Sequence, residues 1–169
     1  MTITHKIRLD PNVKQQEMFA RHAGLARVAF NEALGDFKAS LDRGHWIGWM
    51  TLNKLWNSKK REKFPWSCDH HYHSITKHSI KHLDTALRNW RGKKKGGVAA
   101  KRKLRFPVFK KKGVRDCFHL DPIAVKFNER GIKLPKALGG SVRMFEALRF
   151  TGKLIKVVIS RHANRWFVS

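Results

Sequence analysis

The first predicted element of the chain is residues 2–9, TITHKIRL, in which apolar and polar side chains alternate. Ile3, Ile7 and Leu9 fall on one face of an extended backbone, and Lys6 and Arg8 fall on the other. A period of two residues is typical of a half-buried β-strand. Because one strand of this length is not stable alone, we expect it to pair with strands much later in the chain.

Two helices are predicted to follow, separated by Gly24. Asn12 and Gln15 have the spacing of a capping box at a helix start. The first helix then covers residues 13–22 and the second covers residues 25–42. Such a pair is either a DNA-binding helix-turn-helix or simply two packed helices of a bundle. We favour the bundle, because no base-reading residues stand at an evident recognition position.

Two further helices are predicted before the glycines near residue 92. A short one begins near Thr51. The last helix has the clearest helical pattern in the chain, because its apolar stripe recurs every three or four residues. The residues of this stripe are Thr76, Ile80, Leu83, Leu87 and Trp90.

Short strands separated by turn signals dominate beyond about residue 104. A hairpin-like turn is predicted between strands at residues 124–127 and 131–134. Another strand is predicted at residues 141–145. A further turn is predicted between strands at residues 153–160 and 166–168. The order is therefore one strand, four helices, a basic linker and five or six strands. This order predicts an α+β protein in which the helices are inserted into a β-domain.

The charge of the chain limits its partners. Its 169 residues carry 37 Lys and Arg against 12 Asp and Glu, a formal charge of +25, while 11 Phe and 6 Trp indicate a real core. Self-repulsion on this scale favours a polyanionic partner, with nucleic acid ahead of an anionic membrane surface. There is no apolar run long enough for a transmembrane helix and no signal peptide. Two cysteines indicate neither a disulfide framework nor a zinc ribbon, so we expect a cytosolic protein.

A block of cations lies between residues 88 and 112, where there is no Asp or Glu. Aromatic residues interleave with these cations, as expected of a path for RNA or DNA, although such a run can also be only a solvated face. Residues 104–112, LRFPVFKKK, are strand-like, and we expect this strand to fix the cations on a sheet edge. The predicted contacts to a nucleic-acid backbone are Arg88, Arg91, Lys93, Lys94, Lys95, Lys101, Arg102, Lys103, Arg105, Lys110, Lys111 and Lys112.

A group of histidines is the one candidate metal site. Zinc could be held by a His pair at i, i+4 together with a cysteine. The alternative is a polar helix face that meets bases or phosphates, which we favour, so no metal is expected. The group comprises Cys68, His70, His71, His73, His78 and His82. No catalytic residues are predicted either, because the chain shows no carboxylate set, no glycine-rich phosphate loop and no serine elbow.

Four segments in order resemble the TnpB (OrfB) proteins of insertion-sequence transposons, relatives of type V CRISPR effectors. The opening KIRLDPNVKQQEMFARHAGLARVAFNEAL carries the family's Leu-x-Pro-Asn and its Arg-x-x-x-Asn, which ends at Asn31. HLDTALRNW with FPVFKKK is the second match, and GIKLPKALG is the third. GKLIKVVISRHANRWFVS is the fourth.

The resemblance implies a wedge (WED) β-barrel that is split by a helical recognition (REC) insertion. Residues 1–10 would supply the first barrel strand, residues 11–98 the REC-like insertion and residues 99–169 the rest of the barrel. In this family the two domains bind the scaffold of a guide RNA and recognise a short adjacent motif on duplex DNA. The implied motif-reading residues, of which the last three would lie on a WED loop, are Trp49, Thr51, His73, Ser74, Lys77, Phe118, His119 and Asp121.

The family's RuvC-like nuclease domain, which uses magnesium, would follow directly after the WFVS strand. We therefore expect no catalytic site and no cofactor in this chain, and magnesium only in the missing domain. Because the last strand stops at Ser169 after four residues, we expect the front part of a longer polypeptide or a shortened relative of one.

Two alternatives stay open. One is a nuclease-less, TnpB-derived repressor that binds DNA, and the other is a basic RNA-binding protein of ribosomal type. In each case we expect a cytoplasmic, nucleoid-associated prokaryotic protein without a membrane partner. The oligomeric state is not predicted.

Overall fold

The computed structural model describes residues 3–68, 72, 74–94 and 105–169. The helices are α1 (Val13–Asp42), α2 (Trp49–Lys63) and α3 (Ser74–Lys94), with short 3₁₀ turns at Pro65–Cys68, Pro122–Ala124 and Lys136–Leu138. The strands are β1 (Ile7–Asp10), β2 (Cys117–Leu120), β3 (Lys126–Phe127), β4 (Gly131–Lys133), β5 (Ser141–Met144), β6 (Val157–His162) and β7 (Arg165–Val168). None of the helices within these ranges is both long and apolar enough to span a bilayer.

All seven strands form one antiparallel sheet in the order β2-β6-β7-β1-β5-β4-β3. The first strand lies inside it, with Leu9 opposite Met144 on one side and Trp166 on the other. The prediction that this strand completes a later sheet is confirmed, as is the α+β class. Within the described residues the sheet is open, with β2 and β3 at its edges, so the split barrel is not confirmed.

The prediction of two helices separated by Gly24 is wrong, because α1 is a single helix of 30 residues. It begins at the predicted capping box, where the Asn12 side chain accepts from the Gln15 N–H at 2.9 Å and the Gln15 side chain accepts from the Asn12 N–H at 3.0 Å. Ala23 and Leu25 on either side of Gly24 are both buried. Their packing offsets the cost of about 1 kcal/mol for a glycine inside a helix, so the helix continues.

Helix α1 connects two hydrophobic cores. Its first half packs on the sheet, where the Phe19 ring meets the Trp166 ring edge-on at 5.3 Å. Its second half packs on α2 and α3 in a core that includes Phe37, Trp56 and Leu83. The predicted stripe of α3 faces this second core. The sheet and the helices are therefore joined by one continuous helix.

Residues 105–111 form no strand, so the prediction that a strand fixes the cations on the sheet edge is wrong. Pro107 has no N–H to donate to a β-ladder, and the segment lies against α1 instead. One edge strand is β2, Cys117–Leu120, a segment that the family resemblance placed in a loop. The predicted hairpins around residues 128–131 and 163–164 are confirmed.

Candidate nucleic-acid interface

Helix α3 runs beside the edge strand β2, and we call this contact the α3–β2 seam. Asp121, directly after β2, is the centre of its hydrogen bonding. Its Oδ2 accepts a short hydrogen bond from the Ser74 hydroxyl and another from the Tyr72 hydroxyl at 3.2 Å. Its Oδ1 lies 2.6 Å from Nε2 of His78. One carboxylate thus ties the start of α3 to the end of β2.

The environment of Asp121 keeps it ionised. Partial burial alone would raise the pKa of this carboxyl group. The hydrogen bonds from Ser74 and His78, together with the charges of His78 and Lys77, outweigh burial and hold the pKa below its usual value. By contrast, burial and the Asp121 charge raise the pKa of Tyr72. The negative charge of Asp121 is thus fully engaged by its own partners.

Two separate segments of predicted motif-reading residues meet at this seam. Ser74 is buried and bonded to Asp121, and Lys77 is half-buried one turn further along α3. His119 lies on β2, half-buried, with its ring facing α3. Among these residues, Lys77 and His119 retain surface that a nucleic acid can reach.

Of the remaining predicted motif-reading residues, two lie together on α2, one is buried and one is not described. Trp49 begins α2, and the Lys81 ammonium of α3 lies 4.4 Å from the centre of its ring. Thr51 is exposed on the same first turn of α2. Phe118 is fully buried in the sheet core, which leaves it no surface to meet a base. His73 lies outside the described residues.

The seam also contains a pair of histidines that sequence reasoning did not bring together. The rings of His82 on α3 and His119 on β2 are 5.4 Å apart, with their planes tilted by 36°. Burial and the charges of Lys110 and Lys156 lower the pKa of His82. Burial, followed by the charges of Lys156, His82, His78 and Lys110, lowers the pKa of His119 to about 4. No sequence signal links positions 82 and 119, because the contact exists only once α3 covers β2.

Several cations of the basic block are held in fixed positions. Arg88 donates from Nε to the Asp84 carboxylate at 2.7 Å, while most of its side chain stays exposed. The Arg91 guanidinium lies 4.6 Å from the centre of the Trp46 ring. Arg105, Lys111 and Lys112 are exposed. The side chains of Lys93 and Lys94, and all of Lys95, Lys101, Arg102 and Lys103, lie outside the described residues.

Lys110 is fixed at both ends. Its backbone is bonded to the Asn31 side chain, and its ammonium lies 4.0 Å from the centre of the Phe30 ring. Burial lowers the pKa of this lysine. The nearby Phe106 packs edge-on against Trp90 at 4.9 Å, and Phe109 is half-exposed beneath the Lys38 ammonium at 4.7 Å. Phe109 is thus the more accessible of the two rings for stacking.

The histidine group predicted from the sequence is not brought together by the described residues. His78 pairs with Asp121, His82 lies in a tilted ring contact with His119, and Cys68 is exposed after α2. His70 and His71 lie outside the described residues. Across the described ranges no three His, Cys, Asp or Glu side chains form a group suited to a metal ion.

Comparisons with known proteins find matches at the start of the chain and along nearly its whole length. A family model described as a helix-turn-helix domain, that of the OrfB proteins of IS605 type, matches residues 1–45. In the structure this region contains β1 and one continuous helix rather than two.

A relative matches nearly the whole chain. InsQ of Escherichia coli strain K12, described as a candidate RNA-guided DNA endonuclease, is 27% identical over 168 residues, which are 97% of this chain and 39% of InsQ. The chain therefore spans about two-fifths of the length of this relative. Together the matches confirm the predicted resemblance: the chain is similar to the TnpB (OrfB) proteins of insertion-sequence transposons.

Proposed function

We propose that this chain binds a guide RNA and target duplex DNA as the front lobe of an RNA-guided DNA endonuclease. In this proposal the sheet acts as the WED domain, the three helices act as the REC insertion, and the α3–β2 seam reads a short adjacent motif. The description of InsQ supports the partners, and the charge of +25 supports a polyanionic ligand. Magnesium chemistry belongs to the nuclease domain that the family relationship implies.

The observation that carries the proposal is the convergence of α3 and β2 at Asp121. Lys77, His78 and His119 come from two segments more than 40 residues apart, yet they line one seam. The ionised carboxylate within it already accepts hydrogen bonds from Tyr72, Ser74 and His78, so both of its oxygens are occupied. An incoming polyanion therefore meets the Lys77 ammonium and the ring nitrogens rather than an unpartnered carboxylate. A helix that presents such side chains can enter the major groove, where base edges differ.

Phosphate contacts position a protein on nucleic acid, whereas base contacts specify the sequence. The seam and the basic block differ in this respect. Lys77 lies on the helix face at the seam, within reach of base edges in our proposal. Lys111 is exposed directly after Lys110, and we propose that it contacts a backbone phosphate. The two lysines should therefore behave differently when the DNA sequence changes.

The test is binding of the chain to a randomised duplex library, alone and together with any RNA that co-purifies with it. Lys77→Ala should cost about 1–3 kcal/mol on the preferred motif and little on random duplex. Lys111→Ala should weaken binding to all sequences alike. Lys136→Ala, an exposed lysine in the turn between β4 and β5, is the matched control and should change neither. Equal losses on all sequences for Lys77→Ala would place motif reading elsewhere.

The same assay separates the alternatives. Sequence-specific DNA binding without RNA would favour a nuclease-less repressor. Tight RNA binding with no duplex preference would favour an RNA-binding protein of ribosomal type.

The basic block has a quantitative signature of its own. Replacing a cation that contacts phosphate releases fewer counterions on binding, so the log–log salt slope should fall by about 0.7–0.9 for each phosphate that is no longer neutralised. We expect this fall when six residues of the block are changed together to glutamine, and an unchanged slope would identify a merely solvated run. The six residues are Lys93, Lys94, Lys95, Lys101, Arg102 and Lys103.

A further inference from the structure

His82 and His119 form an unusual pair of polar rings at the α3–β2 seam. Their ring centres are 5.4 Å apart, and within the described part of the chain neither ring makes a hydrogen bond. His82 lies at the rim of the seam and is partly exposed. The protein on its other side desolvates the ring and lowers its pKa. His119 is half-buried. The ring nitrogens therefore have no hydrogen-bond partner among the described residues and can donate to a ligand that accepts hydrogen bonds.

Lysines approach this pair from two other segments. On β2 and β6, His119 lies opposite Val158, and side chains alternate along a strand. Lys156, two residues before Val158, therefore lies on the same face of the sheet as His119. Lys110 comes from the segment along α1, where Asn31 and Phe30 hold it. Both lysines act electrostatically on both histidines.

Carboxylates close to the pair are already engaged. Asp121 uses both oxygens for Ser74, Tyr72 and His78. Asp116, before β2, accepts from Arg27 at 3.4 Å. The other titratable groups nearby are His78, which acts electrostatically on His119, and Cys117, which acts on Lys110. The electrostatic balance at the pair is thus positive, and it favours an anion.

We propose that His82 and His119, flanked by Lys110 and Lys156, bind a phosphate group of a nucleic-acid backbone. This inference rests on the proposed function, because it names the chemical group that the seam holds. A phosphodiester offers two anionic oxygens, which suit imidazole N–H donors and nearby ammonium groups. His119 then contacts the backbone rather than a base edge, so it positions the duplex without reading its sequence.

A consequence is that binding takes up protons. Without a ligand, burial and the neighbouring lysines lower the pKa of both rings, that of His119 to about 4, so both are neutral near pH 7. A bound anion favours the protonated rings and raises both pKa values. Affinity therefore increases as the pH falls from neutral towards the pKa of the free rings. The increase is limited to about tenfold per pH unit for each proton taken up.

The first experiment uses inorganic phosphate as the probe. The ring C–H signals of the histidines are followed by NMR across a pH titration, in phosphate and in chloride at equal ionic strength. His82→Gln and His119→Gln assign the two signals, and His82→Gln alone suffices if the half-buried His119 does not tolerate change. We expect the His82 and His119 signals to titrate at higher pH in phosphate. His162, exposed at the end of β6, is the control, and its signal should respond to pH in the same way in phosphate and in chloride. The proposal would be overturned if phosphate changed all three histidine signals equally or changed none of them.

The second experiment uses a mixed-sequence duplex at pH 7.5 and pH 5.5. The wild-type chain should bind several-fold more tightly at the lower pH, and His82→Gln should lose most of this gain while His162→Gln keeps it. An unchanged gain in His82→Gln would overturn the inference while leaving the proposed function intact. If the wild-type chain binds no nucleic acid at either pH but the phosphate-dependent NMR shift persists, the proposed function fails and the anion site stands.

Discussion

The side chain of Asn31 and the backbone of Lys110 exchange two hydrogen bonds, although 79 residues separate them. Asn31 Nδ2 donates to the Lys110 carbonyl at 3.0 Å, and the Lys110 N–H donates to Asn31 Oδ1 at 2.8 Å. The side-chain amide of Asn31 thus supplies the backbone hydrogen bonds that a neighbouring strand would otherwise provide to Lys110. These two bonds tie the cationic segment 105–112 to α1, and Asn31 belongs to one of the motifs that resemble the TnpB (OrfB) proteins.

Removing this amide should release the segment. Asn31→Ala leaves the Lys110 N–H and carbonyl without partners, so the free energy of unfolding should fall by about 1–3 kcal/mol in urea titrations. Hydrogen exchange at the Lys110 amide should accelerate, and the affinity for nucleic acid should fall, since Lys110 to Lys112 lose their fixed position. Asn57→Ala, at an exposed position of α2, is the control. A variant as stable as this control would show that other contacts hold the segment.

Neutralising Asp121 should weaken the seam in a pH-dependent manner. The folded state lowers the pKa of this carboxyl group, so its stabilisation is fully present above about pH 4, the unfolded value, and is lost as the pH falls through the folded pKa. Asp121→Asn should therefore lower the free energy of unfolding by about 1–2 kcal/mol at pH 7. The difference from the wild type should shrink below about pH 4.

The control for this substitution is Asp10→Asn, on an exposed position of β1. Its effect should be small at every pH. A difference between Asp121→Asn and the wild type that is independent of pH would mean that Asp121 contributes shape rather than charge.

Two neighbouring glycines allow a steric contact to be measured. Gly139 and Gly140 both have positive φ, at 89° and 70°. A Cβ at Gly139 would lie 2.6 Å from Cγ of Gln15, whose amide donates to the Gly139 and Ser141 carbonyls, whereas a Cβ at Gly140 meets nothing within 4 Å. Gly140→Ala should cost about 1–2 kcal/mol for the left-handed backbone alone.

Gly139→Ala should cost about 1–3 kcal/mol more than Gly140→Ala in thermal or urea unfolding, because Gln15 must also move. The extra cost should disappear in the background Gln15→Ala, where the clash is absent. Equal costs for the two glycines would show that Gln15 moves aside freely.

Loss of β1 should divide the sheet. Deleting residues 1–10 removes the partner of both β5 and β7, so their amides should lose hydrogen-exchange protection. Deleting only residues 1–4 leaves Ile7–Asp10 in place and should preserve it. Retained protection across residues 105–169 after the longer deletion would indicate that the later strands fold independently of the first.

Elements whose signals are local could be predicted from the amino-acid sequence. The stripe of α3, the capping box of α1, the alternation in β1 and the hairpin turns depend on residues only a few positions apart, so periodicity and turn chemistry reveal them. The excess of cations likewise follows from counting. The resemblance to the TnpB (OrfB) proteins also depends only on four short motifs.

Features that depend on distant contacts became visible only in the folded protein. Gly24 stays helical because both cores pack on α1 around it, and Phe118 is a core residue because β2 forms the sheet edge under α3. The segment 105–112 is fixed by Asn31 rather than by a strand. His82 meets His119 only because α3 packs against β2. In each case the free energy of packing two distant segments outweighs the weak local preference of either segment.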